Sequence, residues 1–268
     1  MVHSLSRTLT KLGIAPRGAL HLGAHLGQEA ESYAQCGFGR VVWVEGDPRI
    51  FERLREKIAS RPGHEAYNVL LSDSDHQVVE FNVASNDGAA SSILEFDTEL
   101  LASSFPELEV RERVRLSTRR LDSYLVEQGV SVADLNFLNI DLQGAELIAL
   151  RGMGALIDGF DLICSEINLA RLYKSSALLH ELDEFLADRG FRRASLSVLG
   201  IQGQAYYVRD ATLRDSVLRR AAMVGSARAL EQLYRVGLVD FLLHTRRDAF
   251  PYSAARFVYR SIFKRERT

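Results

Sequence analysis

Three acidic side chains, Asp141, Glu146 and Glu166, fall within a stretch of 26 residues, and a fourth, Glu45, follows an apolar run just beyond a glycine-bearing loop. Asp141 closes the strand-like run 136–141, and Glu146 lies on the first turn of the helix expected over 144–151. Two carboxylates this close in sequence can share a proton, hold a divalent cation or orient a hydroxyl that is to react. A purely structural reading stands beside these, because a helix dipole favours any carboxylate on a first turn and an aspartate just before it can act as the cap. Glu166 and Asn168 end the next apolar run, at 160–167. A charge there needs either a partner or an opening onto a cleft, so Glu166 is expected to face one, with Asn168 as a polar wall.

The loop from His21 through Gly23, Ala24 and His25 to Gly27 passes from a strand-like run at 19–22 to a helical stretch at 28–36. Glycines there allow a tight turn and a close backbone approach by a ligand, although many α/β proteins use such turns only for packing. Glu45 strengthens the ligand reading. It closes the second strand, 40–45, roughly twenty residues past the loop, where a carboxylate accepts hydrogen bonds from ribose hydroxyls. Gly46 and Asp47 follow it at the same edge. The dinucleotide fingerprint requires a further glycine two residues after Gly23, and this chain has His25. A bulky side chain at that place disfavours a pyrophosphate. It leaves room for S-adenosylmethionine, which has no phosphate, so NAD(P) is the lesser alternative. His25 is also a tunable base, whereas His21 reads more readily as a core histidine.

The elements that must position these groups alternate strand with helix, the habit of a doubly wound α/β sheet. A third strand is expected over 65–71, leading to a polar turn in which Ser72 is assigned to the nucleotide site. An inserted hairpin follows, with arms at 78–84 and 111–117. The loop 85–92 carries Asn86, Ser91 and Ser92, small polar residues suited to a hydroxyl-rich ligand and equally to a solvated loop. Later come helices at 121–128 and 177–189 and strands at 191–198 and 205–208, about seven core strands in all.

The chain has 268 residues and a formal charge of -2, so its overall balance does not call for a nucleic-acid partner. Cys36 and Cys164 have no framework spacing and read as reduced thiols of the cytoplasm. The first seventeen residues lack an apolar signal core, and no run is long enough to span a bilayer. From residue 210 onward the pattern is helical, ending in a basic stretch with Arg256, Arg260 and Lys264 at four-residue spacing. That helix can dock on the domain, mediate a homodimer contact or rest on an anionic membrane surface. The organisation expected is a nucleotide-binding domain over 1–209 and a helical extension over 210–268.

Between residues 18 and 209 the chain resembles the FkbM-type methyltransferases. The segments that carry the resemblance are HLGAHLGQE at 21–29, VWVEGDP at 42–48, ASNDGAASSIL at 84–94, FLNIDLQGAELIAL at 137–150, SEIN at 165–168 and AYYV at 205–208. The most specific is I-D-x-x-G-x-E after a core strand. The resemblance implies a Rossmann-like class I methyltransferase fold, a seven-stranded, mostly parallel sheet with helices on both faces and an antiparallel edge strand near 205–208. It implies O-methylation of a sugar, glycan, glycolipid or secondary metabolite hydroxyl. Many members carry Asp where this chain has His21 and Asn where it has His25, and that Asp helps hold the amino-acid portion of the donor. On this reading His21, Gly23, Ala24, His25, Gly27, Glu45, Gly46, Asp47, Ser72 and Asp141 contact the donor, and Asn86, Ser91, Ser92, Glu146 and Asn168 contact the acceptor. Asp141 or His25 takes the acceptor proton, with Glu146 and Glu166 orienting the acceptor. The competing classes are a nicotinamide-dependent oxidoreductase and a non-catalytic nucleotide-fold binding protein.

Overall fold

The computed structural model describes residues 2–212 together with Ala227 and Glu231. The helix α1 (Val2–Leu12) leads into β1 (Gly18–Leu22), α2 (Ala30–Cys36), β2 (Arg40–Glu45), α3 (Pro48–Ile58) and β3 (His64–Asn68). The middle of the chain forms β4 (Leu70–Leu71), β5 (Val78–Ala84), α4 (Thr98–Ser104), β6 (Val110–Arg119) and α5 (Leu121–Glu127). It closes with β7 (Phe137–Ile140), α6 (Glu146–Gly152), β8 (Leu162–Asn168), α7 (Leu179–Asp188), β9 (Phe191–Leu199) and β10 (Gln202–Arg209).

The main sheet has seven strands in the order β3-β2-β1-β7-β8-β10-β9. Strand alternation sorts the apolar side chains into two layers, because successive residues point to opposite faces. Leu20, Leu22, Val42, Val44, Leu138 and Ile140 pack under α5, α6 and α7. Ala19, Val41, Trp43, Phe137 and Cys164 pack under α1, α2 and α3. The near-continuous apolar strands are therefore the signature of a sheet covered on both sides. Cys36 and Cys164 are free thiols, and burial pushes the Cys164 thiol up to about 12.

The structure corrects three expectations. The third strand is not continuous over 65–71: β3 pairs with β2, and after Val69, whose N–H donates to the Glu45 carbonyl, β4 pairs instead with β6. The chain thus leaves the main sheet for the small sheet β4-β6-β5, which contains the expected hairpin. The antiparallel strand is not at an edge. β9 and β10 form a hairpin, and β10 inserts beside β8, pairing with it from Gln202↔Asn168 to Val208↔Leu162. That insertion satisfies the open edge of β8 and leaves β9 outermost, with its far half alternately exposed. The helix α4 was not expected; Asp97 caps it by accepting the Leu100 N–H at 2.9 Å.

Most of the expected extension, including Arg256, Arg260 and Lys264, lies outside the described residues. Ala227 is buried in the layer that contains α7, and Glu231 accepts the His180 backbone N–H at 2.9 Å near the start of α7. Among the described residues no helix is long and apolar enough to cross a membrane.

At the amino edge of the sheet, the buried side chain of Asn136 fastens the entry to three strands. Its Oδ1 accepts the Arg17 N–H at 3.0 Å, and its Nδ2 lies 3.0 Å from both the Ala15 carbonyl and Asp161 Oδ2. Truncating it strands several buried polar groups, each costing about 1–3 kcal/mol. Asn136→Ala should lower stability by about 3 kcal/mol in denaturant unfolding, with ligand binding at the opposite edge unchanged.

Candidate active site

At the carboxyl edge the chain turns sharply after β1 and again after β7, and the two turns touch. Gly23, at φ +78°, lies against Asp141 so closely that a Cβ there would fall 1.7 Å from the Asp141 carbonyl oxygen. The Asp141 N–H in turn donates to the Leu22 carbonyl at 3.0 Å, and the Gly23 and Ala24 N–H groups both reach the Val44 carbonyl at 3.0 Å. Two residues other than glycine adopt left-handed backbone beside this contact, His25 at φ 45° and Gln143 at φ 51°. Such conformations cost free energy and concentrate where function fixes geometry.

The Glu45 carboxylate is the staple of the first turn. One oxygen accepts the His25 N–H at 2.7 Å and the other accepts the Asp47 N–H at 2.8 Å. Burial raises its proton affinity, while these hydrogen bonds work in the opposite direction. The His25 ring is held at both nitrogens: the Gln28 amide lies 2.8 Å from Nδ1 and the Asp87 carbonyl 3.0 Å from Nε2. With the Gln28 amide donating to Nδ1, it is Nε2 that faces the Asp87 carbonyl as donor.

The second turn gathers the other carboxylates around Gln143. Its side-chain amide donates to Asp141 Oδ1 at 2.6 Å and to Glu166 Oε2 at 3.1 Å. Its carbonyl oxygen faces the Tyr173 hydroxyl at 2.8 Å. Glu146, fully buried, uses Oε1 to accept the Leu142 and Gly144 N–H groups, each at 3.0 Å, while its Oε2 has no hydrogen-bond partner. Burial raises the proton affinity of all three carboxyls, and their mutual repulsion adds to the effect at Glu146 and Glu166; Glu146 is pushed up to about 7. Among the described residues no three His, Cys, Asp or Glu side chains come together as a metal-binding group.

Gly23, His25, Glu45, Gly46, Ser91, Ser92 and Asp141 line one cleft, together with Gln143 and an apolar wall from Val69, Leu70, Leu71 and Phe81. The remaining sequence-derived candidates lie elsewhere. His21 is a core residue: its ring packs on Trp43 and Tyr33, Asn139 Nδ2 approaches its Nε2 at 3.2 Å, and burial lowers its pKa to about 3. Ala24 is buried, Gly27 packs against Leu54, and Asp47 caps α3 by accepting the Arg49 N–H. Ser72 is buried with its N–H on the Arg119 carbonyl. Asn86 is exposed and accepts the Ala90 N–H, away from the cleft. Asn168 is fully buried with neither side-chain atom hydrogen-bonded. The serines are partly committed as well, Ser91 accepting the Ala84 N–H and Ser92 donating to the Gln143 carbonyl. Sequence reasoning missed Gln143, whose position just before Gly144 in a strand-to-helix turn was the available signal, and Tyr173, which had none.

Because the folded form holds the Glu146 proton up to about pH 7 and an exposed glutamate releases it near 4.5, stability should fall as pH rises across that window. Glu146→Gln, which keeps an acceptor oxygen and removes the charge, should melt a few degrees above the parent at pH 8, with the gain shrinking toward pH 5. An unchanged difference across thermal melts at both pH values would refute the assignment. Gly23→Ala should unfold or melt far lower at every pH, since the Asp141 backbone cannot yield.

The model of the FkbM methyltransferase domain matches residues 21–193. The 2-O-methyltransferase NoeI of Sinorhizobium fredii is 25% identical over 206 residues, covering 74% of this chain and 79% of that protein. Among solved structures, fibrillarin from Aeropyrum pernix in complex with S-adenosyl-L-methionine aligns at a TM-score of 0.42 and 16% identity, over 72% of this chain and 66% of that one. The magnesium protoporphyrin IX methyltransferase of Synechocystis PCC 6803 aligns at 0.42 and 13%, over 78% and 77%. With a family match spanning well over half its length, the chain belongs to the FkbM methyltransferase domain family.

Proposed function

We propose that the protein is an S-adenosylmethionine-dependent O-methyltransferase acting on a hydroxyl of a sugar, glycan, glycolipid or secondary metabolite. The observation that carries the cofactor is the sign of the cleft. Glu45 and Asp141 line it, and among the described residues no lysine or arginine does. Negative charge with low-dielectric walls favours a cationic sulfonium and opposes a pyrophosphate. Glu29, at the N-cap of α2, puts a further carboxylate where a dinucleotide would set its phosphates.

The residues fit such a donor. Glu45 is placed to receive ribose hydroxyls, Gly23 and Gly46 allow close approach, and Leu70, Leu71 and Phe81 offer an apolar wall for a base. When bound, adenosylmethionine supplies a methyl group on a positively charged sulfur, displaced in line by the acceptor oxygen. The chain must align that oxygen and take its proton. Asp141 is the better base than His25, because the Nδ1 lone pair of His25 is occupied by Gln28 and its Nε2 proton is given to Asp87. Glu166, joined to Asp141 through Gln143, orients the acceptor. Transfer to oxygen is supported by the 2-O-methyltransferase relative. A cytoplasmic location is the reading that suits the free thiols.

Calorimetry with adenosylmethionine, adenosylhomocysteine and NAD(H) tests the donor. Both sulfur compounds should bind the parent protein, and Glu45→Gln should bind them about 10- to 100-fold more weakly, the worth of a charge-assisted hydrogen bond. Binding of NAD(H) alone would overturn the reading. Asp141→Asn should keep adenosylhomocysteine affinity within a few-fold and lose about 10²- to 10⁴-fold in turnover; near-normal turnover would remove Asp141 from the base role.

A further inference from the structure

Tyr173, in the segment that joins β8 to α7, is fully buried. Its ring stacks on Phe96 with 4.7 Å between centroids, and the turn after β7 runs so close to it that a Cβ on Gly144 would come within 3.0 Å of the ring. The hydroxyl is therefore fixed in place. It has one proton and two carbonyl oxygens within reach, Gln143 Oε1 at 2.8 Å and the Ala90 backbone oxygen at 3.1 Å. The nearer is also the better acceptor. The Gln143 NH2 group donates to Asp141 Oδ1 at 2.6 Å and to Glu166 Oε2 at 3.1 Å, and an amide that donates at nitrogen gains electron density at oxygen. The converse holds as well: a hydroxyl bonded to that oxygen strengthens both N–H donors. Phenol, amide and carboxylates thus form one hydrogen-bonded chain that ends on Asp141.

We infer that Tyr173 is a positioning residue for methyl transfer: acting through the Gln143 amide, its hydroxyl holds Asp141 in the ionised, proton-accepting form. The inference rests on reading Asp141 as the base. Burial and the neighbouring carboxylates of Glu166, Glu146 and Asp141 keep the phenol protonated, so it remains a donor at neutral pH. The titratable groups that face Asp141 are His25 and Glu29 from the turn before α2, Glu146 from α6, and Cys164 and Glu166 from β8. The three carboxylates among them oppose a negative charge on Asp141. Among the described residues, the Gln143 amide is the one side-chain group that donates to the Asp141 carboxylate. Loss of the Tyr173 hydroxyl weakens that donor, raises the proton affinity of Asp141 and moves the onset of base function to higher pH.

The test is the titration of the Asp141 carboxyl, followed by NMR in full-length protein labelled with carbon-13 at its aspartate carboxyls, with Asp141→Asn identifying the signal. Tyr173→Phe keeps the ring stacked on Phe96 and should move the Asp141 midpoint up by about half to one pH unit, the worth of a weakened hydrogen bond. Gln143→Met should move it further. Adding Tyr173→Phe to Gln143→Met should then produce no additional shift, because the hydroxyl acts through the amide. An unmoved midpoint in Tyr173→Phe, or an equal shift with and without the Gln143 amide, would overturn the inference. Near-normal turnover by Asp141→Asn, with the predicted shifts present, would instead sink the reading of Asp141 as base and leave the hold of Tyr173 on Asp141 standing.

Discussion

One side-chain amide carries the arrangement of charge at the carboxyl edge. Like charges gathered out of water repel, and Asp141, Glu146 and Glu166 would not stay together without donors to divide their electron density. Gln143 supplies two of those donors from a single NH2 group, and the turn that holds it supplies two more from its backbone to Glu146. That turn is left-handed at Gln143 and again at Gly144, where a Cβ would press on Ser176 and Tyr173. Packing of the segment after β8 therefore fixes the backbone, the backbone fixes the amide, and the amide fixes the carboxylates.

The two edges of the sheet divide the labour. At the amino edge Asn136 joins the entry, β7 and the approach to β8 through saturated hydrogen bonds, with every polar group of its side chain engaged. At the carboxyl edge the bonding is incomplete: Glu146 Oε2, Ser176 Oγ and Asn168 are buried without partners. Such groups are costly to leave unmet, and these three lie beside the strained turn at Gln143 and Gly144.

The frame was legible because the sheet is covered on both faces. Runs such as Val41–Val44 have no polar alternation, and loops carrying Gly23 and Gly37 punctuate them, so strand and helix order followed from apolar pattern alone. Strand insertion was not legible: nothing local in Ala205–Val208 states whether it lies at an edge or between two neighbours, since a run buried on both faces suits either position and the choice is made by the open edge of β8. The same limit explains the site. Gly23, Glu45 and Asp141 could be placed at the cleft because each ends or follows a core strand. His21 could not be separated from a donor contact, because its neighbours Tyr33 and Asn139 come from other elements.

The place of β10 has a consequence for how the molecule comes into being. Until Gln202–Arg209 emerges and inserts between β8 and β9, the strand bearing Glu166 is a bare edge with a row of unpaired backbone groups. A nascent chain that has already completed the glycine loop, Glu45 and the Gln143 turn would thus hold a finished nucleotide half and an adhesive half at once. Addition of β10 converts that edge into the sheet interior, so the loss of the adhesive edge is a single late event among the described elements.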